Sequence, residues 1–526
     1  MGSGSEVDGF DPHGTQDGGL FLVVVFSAVL AVCVGLSLQL SRRLSARGRL
    51  PPGPPAWPVI GNFHLLGAMP HQSLTQLARR YGPLMSMRLG STLYIVASTP
   101  EMARYFLQTY DHSFASRPRT AAATHILFNS TNLAFAPYGP YWTLIRRACV
   151  NDVFHPKRLL SFQPIRRQET RNLIHGLVQQ SRSGQPIVLR PHLQGAANNI
   201  ISRMTLGKTY IELSSSGSAG DIVGLIDEIM HLLGVPNVGD FIPSLAWLDL
   251  QGWERKMRAV REQVKVALGR IIRERRERNA ELGLAPAADQ PQDFLDALLS
   301  MQKSEREVEI TDDNVTAVIL DMYLGGTDTT SITSEWALAE LLANPACLEK
   351  VQEELDRVVG RERPVEDGDI AQLPYLRAVV QETFRLHPAL PLLLPRQAMQ
   401  ACSVAGYDLP ANARVYVNVW AIGRDPETWE EPLAFRPERF LGSTVEEKGK
   451  HFQLLPFGSG RRRCVGYELG LLNVRLFLSS LLQSFHWQLP PGVIKPDFTE
   501  QFGLSVTLAN CLTVQAAPRL PMSAYA

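Results

Sequence analysis

Phe457-Gly458-Ser459-Gly460-Arg461-Arg462-Arg463-Cys464-Val465-Gly466 is the stretch whose residue types and spacing could do chemistry. A thiolate persists at neutral pH only where positive charge or a metal lowers its pKa, and three consecutive arginines precede this sulfur. The glycines let the backbone fold tightly and aim N–H groups at Cys464. Tyr467 to Leu478, which follows, is apolar and free of proline, so it reads as a buried helix whose positive dipole end lies behind the sulfur. Together these features describe a loop that holds a haem iron by one cysteine thiolate. The plainer reading is a buried free cysteine, and it is kept for Cys33, Cys149, Cys347, Cys402 and Cys511, which lack such surroundings.

Gly325-Gly326-Thr327-Asp328-Thr329-Thr330 lies inside a long apolar helical pattern. Two adjacent glycines cost a helix interior roughly 1 kcal/mol each relative to Ala, so they need a reason. A helix passing over a flat cofactor has one, because its backbone can approach closely and open a groove for dioxygen. Asp328 and Thr329 then offer an ionisable carrier and a hydroxyl beside that groove. A kinked core helix with a satisfied Asp is the alternative if the segment is taken alone.

The spacing Phe-x-x-Gly-x-Arg-x-Cys-x-Gly, at Phe457, Gly460, Arg462, Cys464 and Gly466, resembles the haem-binding signature of the cytochrome P450 family. Val465 is a mild departure, since Pro or Ile often follows the cysteine in that family. The resemblance implies a mainly α fold with a small β region and haem b ligated by Cys464. It implies that Trp142, Arg146 and Arg396 contact the haem propionates. Thr329 would hydrogen-bond bound dioxygen and Asp328 would be a link in proton delivery. Glu382 and Arg385, a Glu-x-x-Arg pair, would lock to Arg439 of Pro437-Glu438-Arg439-Phe440 in a structural role. Gly325, Leu392, Leu393, Leu394 and Val506 would line the substrate pocket, together with parts of 117–135, 230–245, the start of the Asp321 helix, 390–394 and 504–508. His387 is expected to end a helix and not to bind metal.

The elements that must position these residues are largely helical. Periodicity predicts helices over 142–154, 162–182, 192–207, 221–234, 251–282, 292–303 and 312–343, with a proline-containing loop at 283–291 and a small hairpin over 84–97. The chain is 526 residues long, with 52 basic against 51 acidic side chains and a net charge of +1, which argues against a nucleic-acid binder. Six unclustered cysteines give neither a disulfide framework nor a zinc pattern. Residues 1–18 are expected to be a disordered lumenal leader. Residues 19–40 carry no charge and are expected to span a membrane, with Arg42, Arg43, Arg47 and Arg49 on the cytosolic side. Residues 41–55 form a basic, proline-rich hinge, and 56–526 one catalytic domain.

No Gly-x-Gly-x-x-Gly fingerprint stands at a strand-to-helix junction, so electrons must come from outside. The resemblance implies NADPH-cytochrome P450 reductase as donor, in the endoplasmic reticulum membrane, with dioxygen and a small molecule as substrates and no nucleic acid. It is nearest to plant microsomal members, and 239–252 looks like flavonoid and phenylpropanoid ring hydroxylases. The implied reaction is aromatic meta-hydroxylation, as of flavonoids, p-coumaroyl esters, ferulate or coniferaldehyde. Monooxygenation of terpenoids, fatty acids or amino-acid-derived compounds shares every motif. A non-catalytic membrane haem protein would have no use for Asp328-Thr329.

Overall fold

The computed structural model describes residue 27 and residues 49–209, 222–281, 293–303 and 308–525. The expected leader (1–18), most of the anchor (19–40), the first part of the hinge and the 283–291 loop lie outside the described residues. Among the described residues no helix is long and apolar enough to cross a membrane.

The long helices are α1 (Pro70–Tyr81), α2 (Pro140–Ala148), α3 (Gln163–Ser181), α4 (Leu189–Leu206), α5 (Ile222–Gly234), α6 (Trp253–Glu281), α7 (Phe294–Lys303), α8 (Asp312–Gly326), α9 (Asp328–Ala343), α10 (Pro345–Val358), α11 (Pro374–Leu386) and α12 (Tyr467–Ser484). Besides a short hairpin of Cys402–Val404 with Tyr407–Leu409, the strands are β1 (Leu84–Leu89), β2 (Thr92–Ala97), β3 (Ile187–Val188), β4 (Arg396–Gln397), β5 (Arg414–Val417), β6 (Phe485–Gln488), β7 (Glu500–Gln501), β8 (Thr507–Leu508) and β9 (Thr513–Pro518). One sheet runs β1-β2-β5-β4, and a second runs β3-β9-β6. The expected hairpin is β1 and β2, antiparallel from Leu84 opposite Ala97 to Leu89 opposite Thr92. A mainly helical body with a small β region is therefore observed.

The predicted helix over 142–154 starts two residues earlier, at Pro140, and its last turn widens into a π-helix at Cys149–Val153. The run expected as one helix over 312–343 is two, meeting at Thr327. Thr311 opens the first: its hydroxyl accepts the Asn314 N–H while the Asn314 side chain accepts the Thr311 N–H, a reciprocal cap. Beyond the junction, Thr329, Ser331, Thr333 and Ser334 each donate a side-chain hydroxyl to the carbonyl four residues back. Such back-bonding bends helices, and with two glycines beside it the axis breaks here. α9 is buried along nearly its whole length, packed on α4, α11 and α12, so it forms the centre of the body.

The proline run lies along β1. Ser86 donates its N–H to Pro52 O at 2.8 Å and its hydroxyl to Pro51 O at 2.7 Å. A Cβ on Gly53 would overlap the Ser86 carbonyl, so this strand contact needs glycine.

Candidate active site

The Cys464 loop is a tight backbone turn. The Cys464 N–H donates to Phe457 O and the Arg463 N–H to Gly460 O, both at 3.0 Å. Gly458 and Gly460 hold φ of 65° and 70°, where side chains are strained, and a Cβ on Gly460 would overlap the Leu107 carbonyl. Gly466 abuts the Phe154 ring, and the Phe457 ring stands edge-on to Phe384 at 5.4 Å. α12 begins at Tyr467, so its N-terminus opens beside the sulfur, as expected from the sequence. Cys464 borders an interior cavity of about 300 Å³ and is open toward it. Burial pushes its thiol above the ordinary value, against the Gly466 N–H and the Arg146 and Arg463 guanidiniums. A bound metal ion would supply what is missing to hold the thiolate.

Gly325, Gly326 and Thr329, at the α8–α9 junction, border the same cavity. The two glycines have different reasons. A Cβ on Gly326 would overlap Ile201 of α4, whereas one on Gly325 would meet nothing within 4 Å. Gly326 lets two helices touch, and Gly325 leaves the cavity open. The Thr329 hydroxyl donates to Gly325 O at 2.7 Å.

Gly460 shapes the Cys464 turn without bordering the cavity, and three residues expected for proton delivery or the pocket lie elsewhere. Asp328 does not border the cavity; its carboxylate accepts Ser505 Oγ at 2.8 Å and Gln194 Nε2 at 3.4 Å. Burial pushes its carboxyl up, opposed by Ser505, Gln194 and Arg190. Leu392 packs with Leu74, Met85 and Val96 beside the sheet, while Leu393 and Leu394 do border the cavity. Val506 lies behind α9, its carbonyl accepting Trp336 Nε1, and Leu504 takes its place on the cavity wall. Of the 230–245 stretch, Met230 and Leu233 reach the cavity.

Trp142, Arg146, Arg396 and Arg462 all border the cavity, and so does Arg117, which opens the expected 117–135 stretch but carries no sign in the sequence of joining these cations. Arg462 lies over the Trp142 ring at 4.3 Å and donates to the carbonyls of Ala115 and Ala136. Trp142 Nε1 donates to Leu133 O at 3.1 Å, and Arg146 to Arg463 O at 3.0 Å. Arg396 bonds Asp111 at 2.6 Å and Ser459 O at 2.7 Å. Arg117 donates to the carbonyls of Ala134, Leu394 and Pro395. Burial lowers the pKa of all four arginines, that of Arg462 to about 9 and that of Arg117 well below its ordinary value. Of the four, only Arg396 has an ion-pair partner among the described residues, in Asp111. A buried concentration of guanidiniums beside an apolar cavity fits an anionic group such as a pair of carboxylates. A haem fits this donor set: a thiol for iron, an apolar cleft for the macrocycle and cations for its propionates.

Behind the Cys464 loop, Arg385 Nε and Nη2 both reach the Glu382 carboxylate at 2.7 Å. The same carboxylate accepts the Arg436 N–H at 2.7 Å and Arg439 Nε at 3.1 Å. Arg385 also donates to the carbonyls of Gly423, Pro432 and Ala434. Glu382 and Arg385 are buried and do not border the cavity, so this cluster joins α11 to the 423–439 segment.

Two half-buried carboxyls hold the loops over the cavity. Asp321 of α8 accepts Asn132 Nδ2 and the N–H groups of Leu133 and Ala134. Asp240 accepts the Ala121 N–H at 2.7 Å. Burial pushes both up to about 6. The folded chain then binds more protons than the unfolded one from about pH 4 to 6, so this part of the stability is full below that window and is lost as pH rises through it. Asp240→Asn keeps the acceptor for Ala121 without the titration, and is expected to flatten the decline of the thermal midpoint between about pH 4 and 6. An unchanged slope would contradict the assignment to Asp240.

A family model described as cytochrome P450 matches residues 51–511. The chain is 40% identical over 510 residues to a flavonoid 3',5'-hydroxylase of Eustoma exaltatum subsp. russellianum, covering 96% of this chain and 99% of that one. It is 42% identical over 515 residues to a flavonoid 3'-monooxygenase of Crocosmia x crocosmiiflora, with 96% and 99% covered. A solved structure of a zebrafish cytochrome P450 with progesterone superposes with a TM-score of 0.72 at 32% identity, over 86% of this chain and 99% of that one. With the Cys464 loop, the glycine-broken helix and the arginine cluster around one cavity, the chain belongs to the cytochrome P450 family, a monooxygenase whose cofactor is haem.

Proposed function

We propose that this protein is a membrane-anchored monooxygenase that hydroxylates the ring of a flavonoid-type phenolic, at the carbon meta to the ring's attachment point. The observation that carries the reading is that Cys464, Gly325 and Thr329 border one apolar cavity, in a chain similar along its length to flavonoid hydroxylases. Haem held at Cys464 supplies the oxygen activation, which a cysteinate ligand favours. The reaction puts one oxygen atom into the ring and releases the other as water, drawing a pair of electrons and a pair of protons.

The protein's own residues bind, orient and move protons. Leu393, Leu394, Leu504 and Met230 give a flat ligand an apolar cleft and exclude water. Thr329 Oγ1 holds a proton beside the open space at Gly325. Asp328 takes up protons on the Ser505–Gln194 side of α9, and Gln194 also bonds Asp227 at 3.1 Å, a carboxylate exposed to solvent.

NADPH-derived electrons are taken from a separate reductase. Lys448, Lys450 and Arg461 stand exposed on the outer side of the Cys464 loop, and suit an acidic partner. Residues 19–40 anchor the chain in the endoplasmic reticulum, with the body in the cytosol. In support, Trp57, Val59 and Ile60 and, from a second loop, Trp247, Leu248 and Leu250 are exposed. The two loops are joined through Phe241, whose ring meets Phe63 edge-on at 4.7 Å.

Membranes carrying the protein and a plant reductase, given NADPH and a panel of flavonoids, other phenylpropanoids, terpenes and fatty acids, are expected to consume a flavonoid. Consumption confined to a terpene or fatty acid would overturn the substrate class. Thr329→Ala is expected to keep NADPH consumption but to lower product per NADPH by about tenfold or more, a lower bound against the roughly 10²–10⁴-fold typical of one proton-transfer group. Full coupling in that variant would remove the role given to the hydroxyl.

A further inference from the structure

Among the described residues that border the cavity, Asp321 of α8 is the one acidic side chain, on a wall shared with Leu127, Phe135, Met230 and Leu233. It is half-buried, while Ala317, Val318, Leu320, Met322 and Leu324 of the same helix are all buried. The surface that Asp321 keeps open therefore faces the cavity. Its carboxyl, pushed up to about 6, is still largely ionised at neutral pH.

An ionised carboxylate offers about four lone-pair sites. The N–H groups of Leu133 and Ala134 occupy two on Oδ2, and Asn132 Nδ2 occupies one on Oδ1. One site on Oδ1 is left, and a charged acceptor against an apolar cavity calls for a donor. Gly325 lies four residues on, so it shares a face of α8 with Asp321, about 5 Å further along the axis. A Cβ there would meet nothing within 4 Å, so the space above it is open. We propose that Asp321 accepts the hydroxyl on the substrate's pendant ring, and so selects phenols with a free hydroxyl beside the carbon to be oxidised. Asp321 is then a specificity-determining residue: it holds the hydroxyl and leaves the adjoining ring carbon over Gly325. The proposal rests on the aromatic-hydroxylase reading above.

The test titrates the full-length holoprotein, following the haem absorption change, with a flavanone bearing one pendant-ring hydroxyl, its methyl ether at that oxygen, and the analogue lacking that oxygen. Wild type is expected to bind the ether and the analogue about tenfold or more weakly than the parent, the scale of one hydrogen bond to a charged group. Asp321→Asn keeps an oxygen for the Leu133 and Ala134 N–H groups but presents an amide N–H to the cavity, so the ether-to-parent ratio is expected to fall to near unity. A displaced loop would instead weaken all three ligands alike and leave the ratio. Asn132→Leu, which spares the carboxylate, is expected to keep the ratio. Both variants should keep the ferrous–carbon monoxide band of wild type. With the band intact, a ratio that persists in Asp321→Asn or falls in Asn132→Leu overturns the proposal alone. Equal binding of all three ligands by wild type means that water fills the site, and a weak ether beside a tight analogue means that bulk is read; either overturns it. Failure of wild type to bind any of them overturns the aromatic reading and the proposal with it.

Discussion

Cys464→Ala is expected to abolish the red-shifted ferrous–carbon monoxide band that marks a thiolate ligand, and to remove all turnover with it. The physical basis is that, among the described residues, the cavity is lined by no histidine and by no cysteine other than Cys464. His387, the histidine nearest in sequence to the cavity-lining segment, is committed to Glu340 at 2.6 Å and stacked on Trp336 at 4.0 Å. Cys149, the other cysteine near Arg146, does not border the cavity, and burial pushes its thiol far up. Alanine at 464 removes the sulfur without adding bulk, so the chain should still fold, with a far-ultraviolet circular dichroism spectrum like that of wild type. A variant that kept the band would place the iron ligand elsewhere.

The second large effect is expected at Glu382→Ala, far from any chemistry. Removing this carboxylate leaves Arg385 buried with carbonyl partners alone, and strips an acceptor from the Arg436 N–H and from Arg439. Breaking a buried pair by deleting one partner costs about 3–5 kcal/mol. That is a large fraction of the roughly 5–15 kcal/mol by which proteins of this kind are stable. The variant is expected to accumulate poorly, with a low ratio of haem to protein and a thermal midpoint several degrees down. Glu382→Gln, which keeps the shape and one acceptor, should fall between. Wild-type haem content and midpoint in Glu382→Ala would show that the cluster does not hold the haem-binding half together.

What could be read in the sequence is what is encoded locally. The Cys464 loop is legible because its turn, cations, ligand and following helix are contiguous, and its positive-φ positions at 458 and 460 are glycine. Glu382 and Arg385 are legible because one helical turn brings them together. Asp328 and Thr329 were expected to face the same groove, but neighbours on a helix point about 100° apart. Thr329 takes the cavity and Asp328 is turned to Ser505 and Gln194. The Leu392-Leu393-Leu394 run divides for a related reason: Leu393 sits at φ 52°, and the turn sends Leu392 to the other side. Arg117 carried no local signal, since its partners are carbonyls at Leu394 and Pro395, 277 and 278 residues on. The break at Thr327 comes from the hydroxyls of Thr329, Ser331, Thr333 and Ser334 turned back onto carbonyls beside two glycines, which a search for helical period alone passes over.

The most direct test of the central claim is the mass and structure of the product formed under isotopically labelled dioxygen. Membranes containing the full chain and a plant reductase, with NADPH and a flavanone bearing one hydroxyl on its pendant ring, are expected to give a product carrying one labelled oxygen at the carbon beside that hydroxyl. The label should be absent without NADPH and absent from Cys464→Ala. Unlabelled flavanone recovered intact, while wild type shows a normal carbon monoxide band and labels a terpene or fatty acid, would contradict the phenolic reading and leave the haem-thiolate site standing.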